Sequence, residues 1–135
     1  TRFTYKVCVS TDYFNTHPTI THPRDLKAHN CFIYSYFQGK NVWPIEGGIE
    51  VTGNLRVNNT MFMMESIKQG LGIGFIPDFV CQQAIDSGQV VEVLADSKKS
   101  LLTLYALYPV RKFVPPKLVQ CIEYLEQWFA DKDKF

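Results

Sequence analysis

The chain has 135 residues, 46% of them hydrophobic and 20% charged, the size and composition of one globular domain with a real core rather than of a disordered segment. Its 14 basic and 13 acidic residues leave a formal net charge of +1, and the basic residues are scattered, which excludes nucleic-acid binding by bulk electrostatics from this piece alone. No stretch approaches the roughly 20 apolar residues of a membrane span and none reads as a signal peptide; the first residue is Thr1, so the expectation is a portion of something longer.

In chain order, residues 5–10 (YKVCVS) read as a strand with Val7 and Val9 facing one way. Asp12-Tyr13-Phe14 suits one helical turn. Two Thr-His-Pro triplets, ending at Pro18 and Pro23, then favour extended or turn backbone, and Pro23 is placed to open a short helix through Ala28 capped by Thr21 or His22. Residues 31–37 (CFIYSYF) are aromatic and branched, a second strand. Residues 42–45 and 49–52 form a predicted hairpin across Glu46-Gly47-Gly48, with Pro44 marking an edge. Residues 55–57 are a short strand, after which the side-chain oxygens of Asn58, Asn59 and Thr60 suit a helix cap.

Met61, Met64, Ile67 and Leu71 follow at helical spacing, and Gly70 ends that helix in a left-handed turn. Residues 73–76 are a buried strand halted by Pro77. Asp78 caps a helix over 79–87 with Phe79, Val80, Ala84 and Ile85 near one face, and Gly88 ends it. Residues 90–94 are a strand, and 101–108 (LLTLYALY) a long apolar one whose continuity predicts burial on both faces of a mostly parallel sheet. Pro115 and Pro116 open a final helix over 117–130 with Leu118, Cys121, Ile122, Leu125 and Phe129 on one face, and residues 132–134 fray. Strands alternating with helices make the fold class α/β with a mixed, Rossmann-like sheet.

Catalytic and metal chemistry find little purchase. Cys8, Cys31, Cys81 and Cys121 stand far apart with no C-x-x-C pair, so they read as reduced, mostly buried thiols of a reducing, cytoplasmic compartment. Gly70, Gly72 and Gly74 follow a helix and enter a strand, the reverse of a phosphate-cradling loop, so no nucleotide is implied. His17, His22 and His29 lack a partner at metal-ligand spacing. No serine sits in a G-x-S-x-G elbow. The reading is therefore a protein that is not an enzyme and carries no cofactor and no metal. What remains is a binding site. Asn58, Asn59 and Thr60 stand where a strand ends and a helix begins, with unpaired N–H groups and a partial positive charge suited to an anion or carboxylate. Tyr34, Tyr36, Phe37, Trp43, Tyr105 and Tyr108 are either core residues or the lining of a pocket for a small organic molecule.

The order of these segments resembles the C-terminal part of the effector-binding domain of LysR-type transcriptional regulators. The carrying motifs are Val7-Cys8-Val9-Ser10 with Tyr13, Pro23-Arg24-Asp25-Leu26 with His29 and Cys31, Tyr34-Ser35-Tyr36, Trp43 and Gly53-Asn54-Leu55-Arg56-Val57-Asn58-Asn59. They continue through Gly70-Leu71-Gly72-Ile73-Gly74 with Ile76-Pro77-Asp78-Phe79, Gly88-Gln89-Val90-Val91, Tyr105 to Pro109 and Val114-Pro115-Pro116-Lys117, so the likeness spans essentially the whole chain. The resemblance implies a type 2 periplasmic-binding-protein-like fold. Residues 11–100 would be its second subdomain, and 1–10 and 101–135 the crossing strands and a remnant of the first, the helix-turn-helix DNA-binding domain being absent. It further implies a small-molecule effector in an inter-subdomain cleft, contact with DNA only through the absent N-terminal domain, a homo-oligomer and no membrane.

By that resemblance Asn58, Asn59 and Thr60 match the ligand-contacting strand-to-helix turn, with Phe75, Pro77, Trp43 and Tyr105 as further effector-binding candidates. A solute-binding protein of the same fold, serving transport, is the alternative. The final helix, lacking much of the sheet it would cover, is expected either to drive self-association or to re-pack on this chain's own sheet.

Overall fold

The computed structural model describes residues 2–109 and 114–131. In chain order its elements are β1 (Arg2–Ser10), α1 (Thr11–Thr16), a 3-10 helix (Pro23–Ala28), β2 (Ile33–Tyr34), β3 (Val42–Trp43), β4 (Ile49–Glu50), β5 (Arg56–Val57) and α2 (Thr60–Lys68). They are followed by β6 (Gly74–Pro77), α3 (Asp78–Asp86), β7 (Val90–Val93), β8 (Leu101–Thr103) and α4 (Pro116–Asp131). The strand β1 organises the rest. It pairs antiparallel with β6 (Tyr5 opposite Pro77, Cys8 opposite Gly74) and with β7 (Val7 opposite Val93, Ser10 opposite Val90), and its first residues pair with β8 (Arg2 opposite Thr103).

Because successive strand residues point to opposite faces, β1 serves two layers of core. Val7 and Val9 join Tyr13, Leu26, Trp43, Ile45, Val51 and Phe75 on one face. Cys8 joins Phe32, Met63, Met64, Ile67, Ile76 and Cys81 on the other, under α2 and α3. The first layer is covered by loops and short elements, which the sequence between α1 and β4 makes possible through side-chain clamps. Asn30 accepts from the Asn54 N–H at 2.9 Å and donates to the Asn54 carboxamide at 2.9 Å and to the Leu71 carbonyl at 2.7 Å. A side chain at Gly53 would collide with the Cys31 carbonyl beneath it, so this crossing needs glycine.

Helix α2 starts and stops as its residues dictate. The Asn59 Oδ1 accepts from the N–H groups of Met61 and Phe62 at 2.9 and 3.1 Å, and Gly70 lies at φ +72° just past the last turn. His22 caps the 3-10 helix, with Asp25 reaching back to the His22 N–H at 2.8 Å.

Other expectations change. The run at 101–108 pairs only over β8, because β1 offers it three residues; no strand continues over 104–108, and Leu107 is 94% exposed. An apolar run alone does not distinguish a strand buried on both faces from one without a partner. The main sheet is antiparallel around β1, and among the described residues parallel pairing is confined to β2 with β5 and a bridge from Cys31 to Ile73. The 31–37 strand ends early, since Phe37 and Lys40 donate back to Tyr34 and Phe37 in successive turns. Asp78 is the first helical residue of α3 rather than its cap: its carboxylate accepts from the Phe79 N–H and ties the helix to the Thr4 N–H and hydroxyl.

The buried face of α3 is Cys81 and Ala84, while Phe79, 62% exposed, packs edge-on against Phe3. Helix α4 reaches β1 through Phe129, whose ring lies 6.2 Å from that of Phe3; Leu118 and Ile122 are half-buried, and Cys121 and Leu125 are exposed. The fraying expected at 132–134 lies outside the described residues.

Candidate functional site

The register of β1 against β6 sets Tyr5 beside Phe75, and the hairpin of β3 and β4 brings Trp43 to the other side of that ring. Phe75 stacks with Tyr5 at 4.6 Å between centroids and with Trp43 at 5.4 Å, while Phe37 meets Phe75 edge-on at 6.1 Å. Offset and edge-on contacts of this kind each add to the burial of the rings. The column is anchored in the core, Trp43 being 2% and Phe75 6% exposed.

Around the column lies a narrow hollow of about 40 Å³, closed by Phe32, Tyr34, Pro77 and Lys40 and by Thr60 and Met63 of the first turn of α2. A wider, open hollow of about 1070 Å³ shares Tyr5, Tyr34 and Phe37 with it and is bounded by the hairpin and by residues 98–102. Those two borders are laced together. The Glu46 N–H donates to the Lys98 carbonyl at 2.9 Å, the Glu46 carboxylate accepts from the Lys98 N–H at 2.7 Å, and the Ser100 N–H donates to the Pro44 carbonyl at 3.2 Å. The hollow therefore has preformed walls. Burial, and then the neighbouring Tyr34 phenol, raises the Tyr5 phenol above its ordinary value, so Tyr5 stays a neutral hydrogen-bonding group in the wall shared by the two hollows.

Of the sequence candidates, the structure gathers Tyr34, Phe37, Trp43, Thr60, Phe75 and Pro77 around the narrow hollow. Asn58 and Asn59 are exposed at the entrance to α2. The cap made by Asn59 occupies the Met61 and Phe62 N–H groups; among the described residues the Thr60 N–H has no acceptor, so it is the remaining first-turn donor. Tyr105 lies outside the hollows and is 74% exposed. Sequence reasoning did not single out Tyr5, Phe32, Lys40 or Met63, which also line the narrow hollow. Tyr5 shares the face of Val7 and Val9 by strand alternation, a signal that was present; its meeting with Phe75 needed a register between residues 70 positions apart.

The histidines serve the scaffold. The buried His29 shares a hydrogen bond between its Nδ1 and the Tyr13 hydroxyl at 2.9 Å, and His17 stacks on Tyr13 at 3.6 Å. Among the described residues no cluster of three His, Cys, Asp or Glu side chains is placed to hold a metal, and no helix is long and apolar enough to cross a membrane. All the cysteines are free, with Cys8, Cys31 and Cys81 buried as expected; burial pushes the Cys31 thiol up to about 12.

The family model described as "LysR substrate binding domain" matches residues 1–130. A probable HTH-type transcriptional regulator, LtrA of Klebsiella pneumoniae, is 28% identical over 129 residues, covering 90% of this chain and 42% of its own length. An uncharacterized HTH-type transcriptional regulator of Haemophilus influenzae is 26% identical over 85% of this chain and 42% of its own. Among solved structures, the regulatory domain of AphB in Vibrio vulnificus superposes with a TM-score of 0.73 at 25% identity, over 93% of this chain and 66% of that one. The CrgA regulatory domain from Neisseria meningitidis, at 19% identity and a TM-score of 0.67, covers 75% of this chain and 52% of that one and shares the fold. The chain thus spans about two fifths of the length of these curated relatives, both of them named as HTH-type transcriptional regulators. Matched almost end to end by the family model and carrying its type 2 periplasmic-binding-protein-like α/β fold, the chain belongs to the LysR substrate-binding domain family.

Proposed function

We propose that this domain is the effector-sensing part of a bacterial DNA-binding transcriptional regulator that works in the cytoplasm as a homo-oligomer. Residues 11–100 form the second effector subdomain, and one wall of the cleft is the ring column with the first turn of α2. The observation that carries this reading is the preformed, ring-lined hollow beside the entrance to α2 in a chain of the LysR substrate-binding family. The relatives that are named regulators favour transcription over solute transport.

The effector is a small organic molecule with an acidic or polar group. Its oxygen accepts from the Thr60 N–H and hydroxyl and from the amide nitrogens of Asn58 and Asn59, in the field of the α2 N-terminus. DNA is contacted by a separate N-terminal domain. Binding acts by favouring the cleft conformation with the greater affinity for the effector, the shift being limited by the difference in affinity between the conformations. Replacing Asn58 and Thr60 with Ala in the full-length regulator should abolish effector-dependent transcription while leaving DNA binding in place. An unchanged response would refute the role of this turn.

A further inference from the structure

The chemistry of the hollow is more specific than "small and polar". Its permanent walls are faces and edges of rings: Tyr5 closes one end of the Phe75 column, and Phe37 and Tyr34 stand beside it, all common to the narrow and the wide hollow. The narrow part, about 40 Å³, is smaller than the roughly 150 Å³ cavity that takes a benzene ring, so a ligand body lies in the wide part and against these rings rather than within the column.

Charge at the same place is positive. Lys40 borders the narrow hollow, and its ammonium has no hydrogen-bond or ion-pair partner among the described residues. Lys98 and Lys99 border the wide one. Lys99 is bonded to Glu92, and the acidic residue on this border, Glu46, is spent on the Lys98 N–H. Lys40 is moreover held at φ 54°, a left-handed backbone that lysine rarely adopts, by the turn that closes Lys40 N–H onto the Phe37 carbonyl at 3.0 Å. The backbone that fixes the ring of Phe37 thus also fixes the origin of the cation.

We propose that the ligand of this site is a planar aromatic carboxylate, its ring laid against Tyr5, Tyr34 and Phe37 and its carboxylate turned to the narrow hollow, where the Lys40 ammonium stands with Thr60. This inference rests on the effector-sensing reading and narrows it to a ligand class. Ring–ring contact selects a flat apolar body, and an unpaired ammonium beside apolar walls selects an anionic group over its neutral amide.

Calorimetric titration of the full-length regulator with trans-cinnamate, cinnamamide and succinate tests it. Cinnamate is expected to bind at least about tenfold more tightly than either of the others. Lys40→Asn removes the charge while tolerating the left-handed backbone; it should bring cinnamate to within about threefold of cinnamamide and leave cinnamamide unchanged. Tyr5→Leu should weaken both aromatic probes together. Succinate binding as tightly as cinnamate, cinnamate affinity unmoved by Lys40→Asn, or no binding of cinnamate overturns the proposal. A regulator that responds in transcription to succinate but ignores cinnamate overturns the ligand class alone, leaving effector sensing in place. Loss of effector-dependent transcription is read separately, through Asn58 and Thr60.

Discussion

Substitution of Asn59 separates two duties that sequence alone superimposes on that position: closing the helix and meeting a ligand. Its Oδ1 satisfies two otherwise unpaired N–H groups of α2, those of Met61 and Phe62, at 2.9 and 3.1 Å. Removing such a cap costs about 1 kcal/mol, and for a domain between the 100- and 150-residue reference sizes that is a fall of roughly 3–6 °C in melting temperature. Asn59→Asp keeps an acceptor in the same place and adds a negative charge at the helix N-terminus, itself worth about 0.3–1 kcal/mol. Stability should therefore be kept or rise slightly. An acidic effector meeting that new carboxylate should bind more weakly, while a neutral ligand should not.

The assay is differential scanning fluorimetry of wild type, Asn59→Ala and Asn59→Asp, each also followed for effector-dependent transcription in the full-length regulator. The expected pattern is Asn59→Ala less stable and Asn59→Asp as stable as wild type but less responsive. An Asn59→Asp protein with full stability and full response would show that Asn59 is a cap and nothing more. An Asn59→Ala protein with an unchanged melting temperature would refute the capping energy itself.

Burial, with the positive field of His17 adding to it and Asp25 opposing, lowers the His29 imidazole below its ordinary value, so the unfolded chain takes up this proton first. Stability should fall as pH drops below about 6.5, a slope that urea midpoints between pH 7.5 and 5 should show and that His29→Gln should flatten. Burial works to lower the Lys6 ammonium, but its bond to Glu92 outweighs this and raises it. Glu92 also pairs with the largely buried Lys99, so Glu92→Gln, which leaves both cations half-served, should cost roughly 1.5–3 kcal/mol in chemical denaturation, with Glu92→Asp retaining part of it. Phe75→Leu removes stacked contacts at 4.6 and 5.4 Å, each worth about 0.5–1.5 kcal/mol beyond burial; a loss of about 1–3 kcal/mol is expected, and a melting temperature within a degree of wild type would contradict the ring column as a structural unit.

What the residues disclosed locally, the structure keeps. The start and stop of α2, the hairpin across Glu46-Gly47-Gly48 and the strand before Pro77 are each set by a cap, a turn or a breaker within a few positions. Two of the misreadings share a cause: whether residues 104–108 pair and whether Asp78 caps α3 or ties it to Thr4 depend on what lies across a gap of tens of residues, whereas the strand after Cys31 ends in successive local turns. The lining of the candidate hollow divides in a similar way. Thr60, Phe75, Pro77 and Trp43 were nominated from segment order and family pattern and lie around it, whereas Tyr5 and Lys40 enter through the β1–β6 register and a left-handed turn, which no local pattern announces.

The position of Tyr5 also bears on how a ligand could be felt beyond its own contacts. One strand carries the ring facing the hollow, the valines of one core layer, the cysteine of the other, the lysine of the Glu92 network and, at Thr4, the bond to α3. A close-packed strand with both faces occupied does not bend by degrees; it moves with its neighbours as a body. Yet one wall supplies little discrimination: ring contacts of about 0.5–1.5 kcal/mol apiece and one exposed cation fall short of the roughly 5.5 kcal/mol needed to carry a two-state equilibrium from 1:99 to 99:1. The difference must come from a surface that meets the ligand in one conformation and not in the other. On the proposed reading, the open side of the hollow, bordered by the hairpin and residues 98–102, is where such a surface would close, with β1 and β8 turning with it.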